Sequence, residues 1–388
     1  MKSEEFLDAI ETLIPRIESR VEEAESLRRI PSETIAELRS SGVMKALQPQ
    51  RYGGYELDLI SFYRAARRIG EVCPSTAWVF AVVGVHPWQL ALFPDAAQAE
   101  VWGEDETAMV ASTYAPVGQV RKVEGGFEVS GRWPYSSGSD HCEWVFLGGV
   151  EASDPEAPDM RTFLLPRRDY EVIDTWHSVG LRGTGTNDIL VEGAFVPEHR
   201  TLSFADTSRC DCPGNAVNDA AIYRLPFASV FATTIASASL GAARGALAAY
   251  QDVLKERFKI AYGEAAREDP HQQVKLAQAH SMVDAAWLQL ERNIEDVGEA
   301  AARGEAPGLL ERARLRHDQA YGVSRAIEAA DLCFEASGGS VLRAGHPLQR
   351  FWRDVHAARQ HAINEYERAA SLYGRALLGI DVSGDPMI

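Results

Sequence analysis

Near its C-terminus the chain reads Phe351-Trp352-Arg353-Asp354-Val355-His356-Ala357-Ala358-Arg359-Gln360-His361-Ala362. This segment follows the glycine-rich run Ser337-Gly338-Gly339-Ser340 and belongs to a helical pattern predicted over residues 347–378. An Arg-Asp pair stands near its start, and its other end carries the imidazole of His361 followed by Ala362. The titratable group at that end is therefore a histidine and not a carboxylate, and histidine can exchange protons near neutral pH.

Composition excludes several classes of function. The 388 residues are 46% hydrophobic and 24% charged, as in a globular protein with a large core. The net charge of -17 argues against nucleic acid and anionic membranes as partners, because both attract clustered Lys and Arg. No apolar run approaches the roughly 18–20 residues of a membrane helix, and the N-terminus lacks the pattern of a signal peptide. Five cysteines show neither a disulfide framework nor zinc-ligand spacing, so we expect a cytoplasmic protein without a metal.

Hydrophobic spacing divides the chain into three regions, predicted as residues 1–106, 107–220 and 221–388. The first is predicted to be helical, because its apolar residues recur at three- and four-residue intervals. Ser32 is predicted to cap one of these helices, and Gly42 to end it in a left-handed conformation. The almost wholly apolar run 79–93 predicts one helix that is buried on most sides.

The middle region is predicted to be β-structure and the last region helical. Residues 120–133 alternate around Gly125-Gly126, which predicts a hairpin, and strands are expected at 144–150, 161–165 and 189–195. Residues 151–160, rich in acidic residues and proline, predict an exposed loop. Helices are expected at 233–258, 274–301, 307–338 and 347–378, as in a four-helix bundle. Helices, then strands, then helices indicate a mainly α member of the α+β class.

Several motifs, in order along the chain, resemble those of a known family. They are residues 47–54 (LQPQRYGG), 84–93 (GVHPWQLALF), 133–138 (WPYSSG), 180–185 (GLRGTG) and 350–362. Together they resemble the acyl-CoA dehydrogenase fold, which implies an N-terminal helical domain, a central β-barrel domain and a C-terminal four-helix bundle. Within that superfamily the chain is most similar to the oxygenase components of two-component flavin-dependent monooxygenases, especially the type that hydroxylates a phenolic secosteroid.

The resemblance implies a set of flavin-binding residues. Two β-segments would line the flavin, with Ser136 or Ser137 near N5, and Trp78 would pack against the ring. An arginine of a neighbouring subunit would bind the phosphate, and a glycine-containing turn would approach it. The residues so assigned are Trp78, Ser112, Thr113, Tyr114, Tyr135, Ser136, Ser137, Arg257, Gly339, Ser340, His361 and Ala362.

Three residues are predicted to be catalytic: His361, His86 and Ser137. Many acyl-CoA dehydrogenases carry a catalytic glutamate at or just beyond position 361, where this chain has His361-Ala362. The resemblance implies a C4a-hydroperoxyflavin, formed from reduced flavin and O2, that hydroxylates an electron-rich ring. An imidazole could bind or deprotonate a phenol, or manage protons on the peroxide. The expected substrate is aromatic: a secosteroid-like phenol, an indole or a polyketide ring.

Other features set the expected partners. No Gly-x-Gly-x-x-Gly motif follows a predicted strand, so a nicotinamide site is not expected. A separate NAD(P)H-dependent reductase would supply reduced FAD or FMN, and the resemblance implies a homotetramer. One alternative is an acyl-CoA dehydrogenase with FAD and a displaced base at Glu365, and another is a flavin-binding scaffold without turnover. We expect Asp140-His141 to order a loop, and Arg353-Asp354 and His356 to be structural.

Overall fold

The computed structural model describes residues 1–152, 158–259, 263–385 and 387–388. Helices form the N-terminal region: α1 Ser3–Ser19, α2 Val21–Leu27, α3 Ser32–Ser40, α4 Leu59–Gly70, α5 Pro74–Gly84, α6 His86–Leu90 and α7 Asp95–Trp102. Gly42 has a φ of 78°, which confirms the predicted left-handed residue after α3. The predicted cap is wrong, because Pro31 occupies the cap position and Ser32 is already the first helical residue.

The predicted buried helix over residues 79–93 is divided into α5 and α6. Every residue of these two helices is buried, as predicted. The division occurs at Val85, because Pro87 has no N–H to bond the carbonyl four residues earlier. The break matters for the site, since it places His86 at the first position of α6.

The central region begins with β1 Val110–Thr113 and continues with β2 Gln119–Val123, β3 Gly126–Ser136, β4 Trp144–Glu151, β5 Asp159–Pro166, β6 Glu171–Ile173, β7 Asn187–Pro197 and β8 Thr201–Ser203. The hairpin is confirmed: Val123 pairs with Gly126, and Gly125 has a φ of 76°. The predicted barrel takes the form of two four-stranded sheets that contact each other, ordered β1-β4-β5-β8 and β2-β3-β7-β6. Of the predicted loop 151–160, Glu151 pairs with Asp159, and residues 153–157 lie outside the described residues.

Helices α8 Phe204–Arg209, α9 Phe227–Glu256, α10 Pro270–Ala302, α11 Leu309–Ser337, α12 Pro347–Arg359 and α13 Tyr366–Leu377 follow, with the short strands β9 Phe258–Lys259 and β10 Glu264–Ala265. By length and apolar composition α9 alone among the described helices could cross a membrane, but 94% of its most apolar window is buried inside the protein. A continuous core of buried residues runs through all three regions. The domain boundaries stay predictions.

The single helix predicted over residues 347–378 is wrong, because the chain bends after α12. His361 has extended backbone angles and caps a short 3-10 turn, Ala362–Asn364. The Asn364 side chain stabilises the bend, since its Nδ2 donates to the Ala358 carbonyl at 2.7 Å and its Oδ1 accepts from Gln319 of α11 at 2.6 Å. The first bond reaches a backbone carbonyl near the end of α12, and the second joins the bend to α11.

Candidate active site

The end of β3 and helix α5 form one wall of the site. Trp78 of α5 donates a hydrogen bond from Nε1 to Ser137 Oγ at 3.1 Å. The neighbouring Ser136 is fully buried, and its hydroxyl has no hydrogen-bond partner among the described residues. A buried hydroxyl without a partner costs free energy, so Ser136 is suited to a polar ligand atom.

A glycine turn brings this wall close to α5. Gly138 has a φ of 70°, and a β carbon there would lie 2.9 Å from Val79. Only glycine therefore fits this position without strain. The Gly138 N–H donates to the Thr184 carbonyl at 2.9 Å, which joins the turn to the loop after β6.

Tyr135, just before this turn, is 69% exposed and has a φ of 68°. It lies where the pairing of β3 with β7 shifts register, between Trp133 and Ser136. Thr113 of β1 is also held at this end of β3, because its hydroxyl donates to the Pro134 carbonyl at 2.7 Å. Ser112, the next residue toward the chain start, is partly buried.

A cluster of aromatic rings lies against the first histidine. His86 is fully buried, and its ring stacks on Phe231 of α9 with centroids 6.5 Å apart. Tyr114 contacts His86, Phe227 and Phe231, and its hydroxyl donates to Gln89 Oε1. The sequence predicted that Tyr114 contacts the flavin, whereas the structure places it in this cluster of aromatic rings.

The second histidine also lies near Phe231. The ring centroids of His361 and Phe231 are 6.4 Å apart, and those of His361 and Trp78 are 5.8 Å apart. The bend after α12 makes this position possible, because in a continuous helix the side chain of His361 would point in a different direction. The bend therefore unites Trp78, Ser137, Phe231, His86 and His361 in one site.

Both histidines are uncharged at neutral pH. Burial lowers the pKa of His86 to about 4. Burial also lowers the pKa of His361 to about 4, with a smaller contribution from the positive charge of Arg316. Each ring therefore has one N–H donor and one bare nitrogen acceptor.

Hydrogen bonds determine which nitrogen of each histidine carries the proton. His86 Nδ1 lies 2.5 Å from the Val110 carbonyl, which can only accept, so Nδ1 holds the proton and Nε2 is bare. That Nε2 is buried and has no partner among the described residues. In His361, Nδ1 accepts from the Ile363 N–H at 3.2 Å, so Nε2 holds the proton. One histidine thus offers an acceptor and the other a donor.

Arg257, Gly339 and Ser340 form a second group, at the C-terminal ends of α9 and α11. Arg257 donates from Nη1 to the Ala336 carbonyl at 3.1 Å. A β carbon on Gly338, whose φ is 72°, would lie 2.6 Å from the Arg257 guanidinium. Gly339 and Ser340 are exposed in the adjoining turn, and Ala362 is exposed beside His361. Among the described residues no hydrogen bond or ring contact joins this group to the histidines.

The residues expected to be structural bond residues distant in the sequence. Asp140 accepts from Asn187 at 3.2 Å. Asp354 accepts from the Leu181 N–H at 2.6 Å, and Arg353 pairs with Glu25 of α2 at 2.9 Å. In the part of the chain that the structure describes, no group of three potential ligands could hold a metal ion.

Sequence reasoning missed three polar residues of this site: Gln89, Thr184 and Thr186. Gln89 bonds Tyr114, the two threonines bond each other, and Thr186 also bonds Ser137. Thr184 lies in the motif 180–185, which carries part of the family resemblance but was assigned no role in the site. The paired hydroxyls of Thr184-Gly185-Thr186 were the available signal, since buried threonines in a glycine-rich loop need hydrogen-bond partners.

The chain is similar to known proteins over its whole length. A relative from Rhodococcus jostii (strain RHA1), the oxygenase subunit HsaA of a flavin-dependent monooxygenase, is 43% identical over 98% of this chain and 100% of its own length. The chain belongs to this family of monooxygenase oxygenase subunits. Residues 3–105 match the acyl-CoA dehydrogenase N-terminal domain, and residues 233–366 match the acyl-CoA dehydrogenase C-terminal domain.

Two further proteins support the same family. The crystal structure of 3-HSA hydroxylase from Rhodococcus sp. RHA1 superimposes with a TM-score of 0.94, at 42% identity and 99% coverage of each chain. The oxygenase component of an FADH(2)-dependent resorcinol hydroxylase from a Rhizobium species is 32% identical over 94% of this chain and 92% of its own. This oxygenase subunit is therefore a flavin-dependent monooxygenase component that uses reduced flavin, as predicted, with a mainly α acyl-CoA dehydrogenase-like fold.

The residues present fit a reduced flavin. The buried Ser136 hydroxyl lacks a partner, Trp78 offers an aromatic surface, and Arg257 offers a cation for a phosphate. The acyl-CoA dehydrogenase alternative is not supported, because the relatives are monooxygenases and Glu365, its displaced base, is exposed. The scaffold alternative is not supported either, since these relatives are enzyme components.

Proposed function

We propose that this oxygenase subunit hydroxylates an apolar phenol and that His86 accepts the hydrogen bond of the phenol hydroxyl. The observation that carries this proposal is the bare, buried Nε2 of His86 beside Phe231 and Tyr114. A neutral phenol has one O–H donor and an aromatic face, and this site offers one acceptor among aromatic rings. A hydrogen bond to Nε2 draws the phenol proton away and so raises the electron density of the ring.

His361 has the complementary role. Its Nε2–H is a donor, and Trp78 and Phe231 hold its ring in place. When bound, reduced flavin activates O2 and supplies the hydroxyl group that the aromatic ring receives. His361 would donate a hydrogen bond to the reacting oxygen from one side, while His86 binds the phenol hydroxyl from the other. The sequence prediction left both roles open for an imidazole, and this proposal assigns one role to each histidine.

The size and polarity of the substrate follow from the ring cluster. Phe227, Phe231 and Tyr114 contact one another through their faces and edges, and Phe204 of α8 joins them. Such a surface favours a large apolar ring system with a single hydroxyl group. The relative named for resorcinol supports a phenol, and a secosteroid-like phenol suits the cluster better than an indole or a polyketide ring.

The cofactor and partners complete the proposal. Reduced FAD is the proposed cofactor, because the resorcinol hydroxylase is FADH(2)-dependent and Arg257 can pair with a phosphate through its planar fork. A separate NAD(P)H-dependent reductase would deliver it in the cytoplasm. Arg257, Gly339 and Ser340 would serve the site of a neighbouring subunit in a homotetramer.

The direct test supplies the purified protein with FAD, a flavin reductase, NADH and O2. A polycyclic phenol is compared with its methyl ether, which has the same rings but no O–H. Hydroxylated product from the phenol, and peroxide without product from the ether, are expected. The proposal is wrong if both are hydroxylated equally, or if neither is while an acyl-CoA reduces the bound flavin.

Substitutions of His86 and Arg257 test the roles proposed for these two residues. His86→Phe should raise the KM for the phenol and also lower kcat, since both the binding contact and its effect on the electron density of the ring are lost. Arg257→Gln should weaken FAD binding but leave FMN binding unchanged if the arginine holds the dinucleotide phosphates. Light scattering of the wild type tests the tetramer.

A further inference from the structure

Three buried hydroxyl groups form a continuous series of hydrogen bonds that begins at Ser137. Ser137 Oγ lies 2.8 Å from Thr186 Oγ1, which lies 2.6 Å from Thr184 Oγ1. Thr184 Oγ1 then donates to the Leu181 carbonyl at 2.9 Å. Ser137, Thr184 and Thr186 are 8%, 1% and 7% exposed, so solvent competes little for these bonds.

The Leu181 carbonyl, at the far end of this series of hydrogen bonds, determines the direction of each of them. A hydroxyl group has one proton, and the proton of Thr184 goes to the Leu181 carbonyl, which cannot donate. Thr186 must therefore donate to Thr184, and Ser137 must donate to Thr186. Because Trp78 Nε1 already donates to Ser137, the Ser137 oxygen has one lone pair left and no proton to offer.

The Leu181 carbonyl is held firmly as the end of this series. It also accepts from Trp176 Nε1 at 2.8 Å and from the Thr184 N–H at 3.2 Å, so it is held from three sides. Leu181 has a φ of 50°, an unusual conformation for leucine, and the buried Asp354 holds its N–H at 2.6 Å. A β carbon on Gly180 would lie 2.2 Å from the Arg353 carbonyl oxygen, so the turn packs directly on α12.

An oxygen that can only accept distinguishes two states of a flavin. Reduced flavin carries a hydrogen on N5 and can donate there, whereas N5 of oxidised flavin is bare and can only accept. We propose that the Ser137 hydroxyl faces N5 of the bound flavin, beside the Ser136 hydroxyl, which bonds no described residue, and that Thr184 and Thr186 are positioning residues. The two threonines keep the Ser137 hydroxyl as an acceptor and so make the site favour reduced over oxidised flavin. This inference deepens the flavin site and does not depend on which aromatic compound is hydroxylated.

The test compares the affinities of oxidised and reduced FAD for wild type and Thr186→Val, with anaerobic titration for the reduced form. Valine has the shape of threonine but no hydroxyl, so the Ser137 proton becomes free to point at N5. The ratio of the dissociation constants, oxidised to reduced, should fall roughly three- to tenfold, the value of one hydrogen bond. A tenfold fall corresponds to a potential of the bound flavin that is about 30 mV more negative.

Controls separate this role from a purely structural one. Thr186→Ser keeps the hydroxyl and should keep the wild-type ratio. Thr184→Val, which serves if Thr186→Val does not fold, should shift the ratio in the same direction, because Thr186 is then free to donate to Ser137. In a Ser137→Ala background, Thr186→Val should change nothing further. The inference is overturned if the Thr186→Val ratio stays within twofold of wild type or rises.

Discussion

Replacing Asp354 by Asn should change how the stability of the protein depends on pH. Asp354 is 2% exposed in α12, and its Oδ1 accepts from the Leu181 N–H at 2.6 Å. Burial raises the pKa of this carboxyl from 3.8 to about 7. The Leu181 hydrogen bond and the charges of Arg353 and Arg350 lower the pKa, and Glu25 raises it, so burial outweighs the favourable contacts.

The direction and size of this change in stability follow from the proton that Asp354 binds in the folded protein. Between pH 3.8 and about 7 the folded protein keeps a proton on Asp354 that the unfolded chain has lost. Raising the pH therefore destabilises the wild type by about 1.4 kcal/mol per pH unit, or ~3 kcal/mol between about pH 4.5 and 7. Asparagine keeps an oxygen for the Leu181 N–H but cannot ionise. The free energy of unfolding of Asp354→Asn, relative to wild type, should therefore rise by up to ~3 kcal/mol and then level off.

Urea unfolding, followed by circular dichroism at matched protein concentrations over about pH 4.5 to 8.5, measures this difference. Asp58→Asn is the control. Burial alone would raise the pKa of Asp58, but hydrogen bonds from Ser3 and Ser61 outweigh it and hold the pKa below 3.8. The effect of that substitution should consequently be constant over this range. A constant difference for Asp354→Asn as well would refute the reasoning.

Three other predictions concern the site. His361→Ala should leave FAD affinity within about threefold of wild type but release more peroxide per product, because the donor beside Trp78 is lost; unchanged coupling would remove His361 from the mechanism. Ser136→Ala should weaken FAD binding without lowering the stability of the flavin-free protein, since its hydroxyl bonds no described residue; a large loss of stability would contradict this. Gly180→Ala should lower the thermal midpoint by roughly 2–8 °C, because repacking the turn against α12 costs about 1–3 kcal/mol. Calorimetry measures this shift. The control is Gly298→Ala, where no atom lies within 4 Å of the added carbon.

Local interactions explain which parts of the fold were predictable. The hairpin depends on adjacent residues and forms as predicted, although its two-residue turn is Glu124-Gly125 and not the expected Gly125-Gly126. The breaks at Val85 and after α12 were missed. The first needed only the missing N–H of Pro87 to be taken into account, whereas the second depends on the Asn364–Gln319 bond between segments far apart in sequence.

For the site, the sequence by itself determined the residue types: two histidines, a serine pair, a tryptophan and an arginine in the order of a known family. Only the tertiary structure decided what each can do. The Val110 carbonyl makes His86 Nε2 an acceptor, the Ile363 N–H makes His361 Nε2 a donor, and the Leu181 carbonyl leaves Ser137 without a proton to give. The physical reason is that an imidazole or a hydroxyl can donate or accept, and the partner that folding brings to its other side determines which.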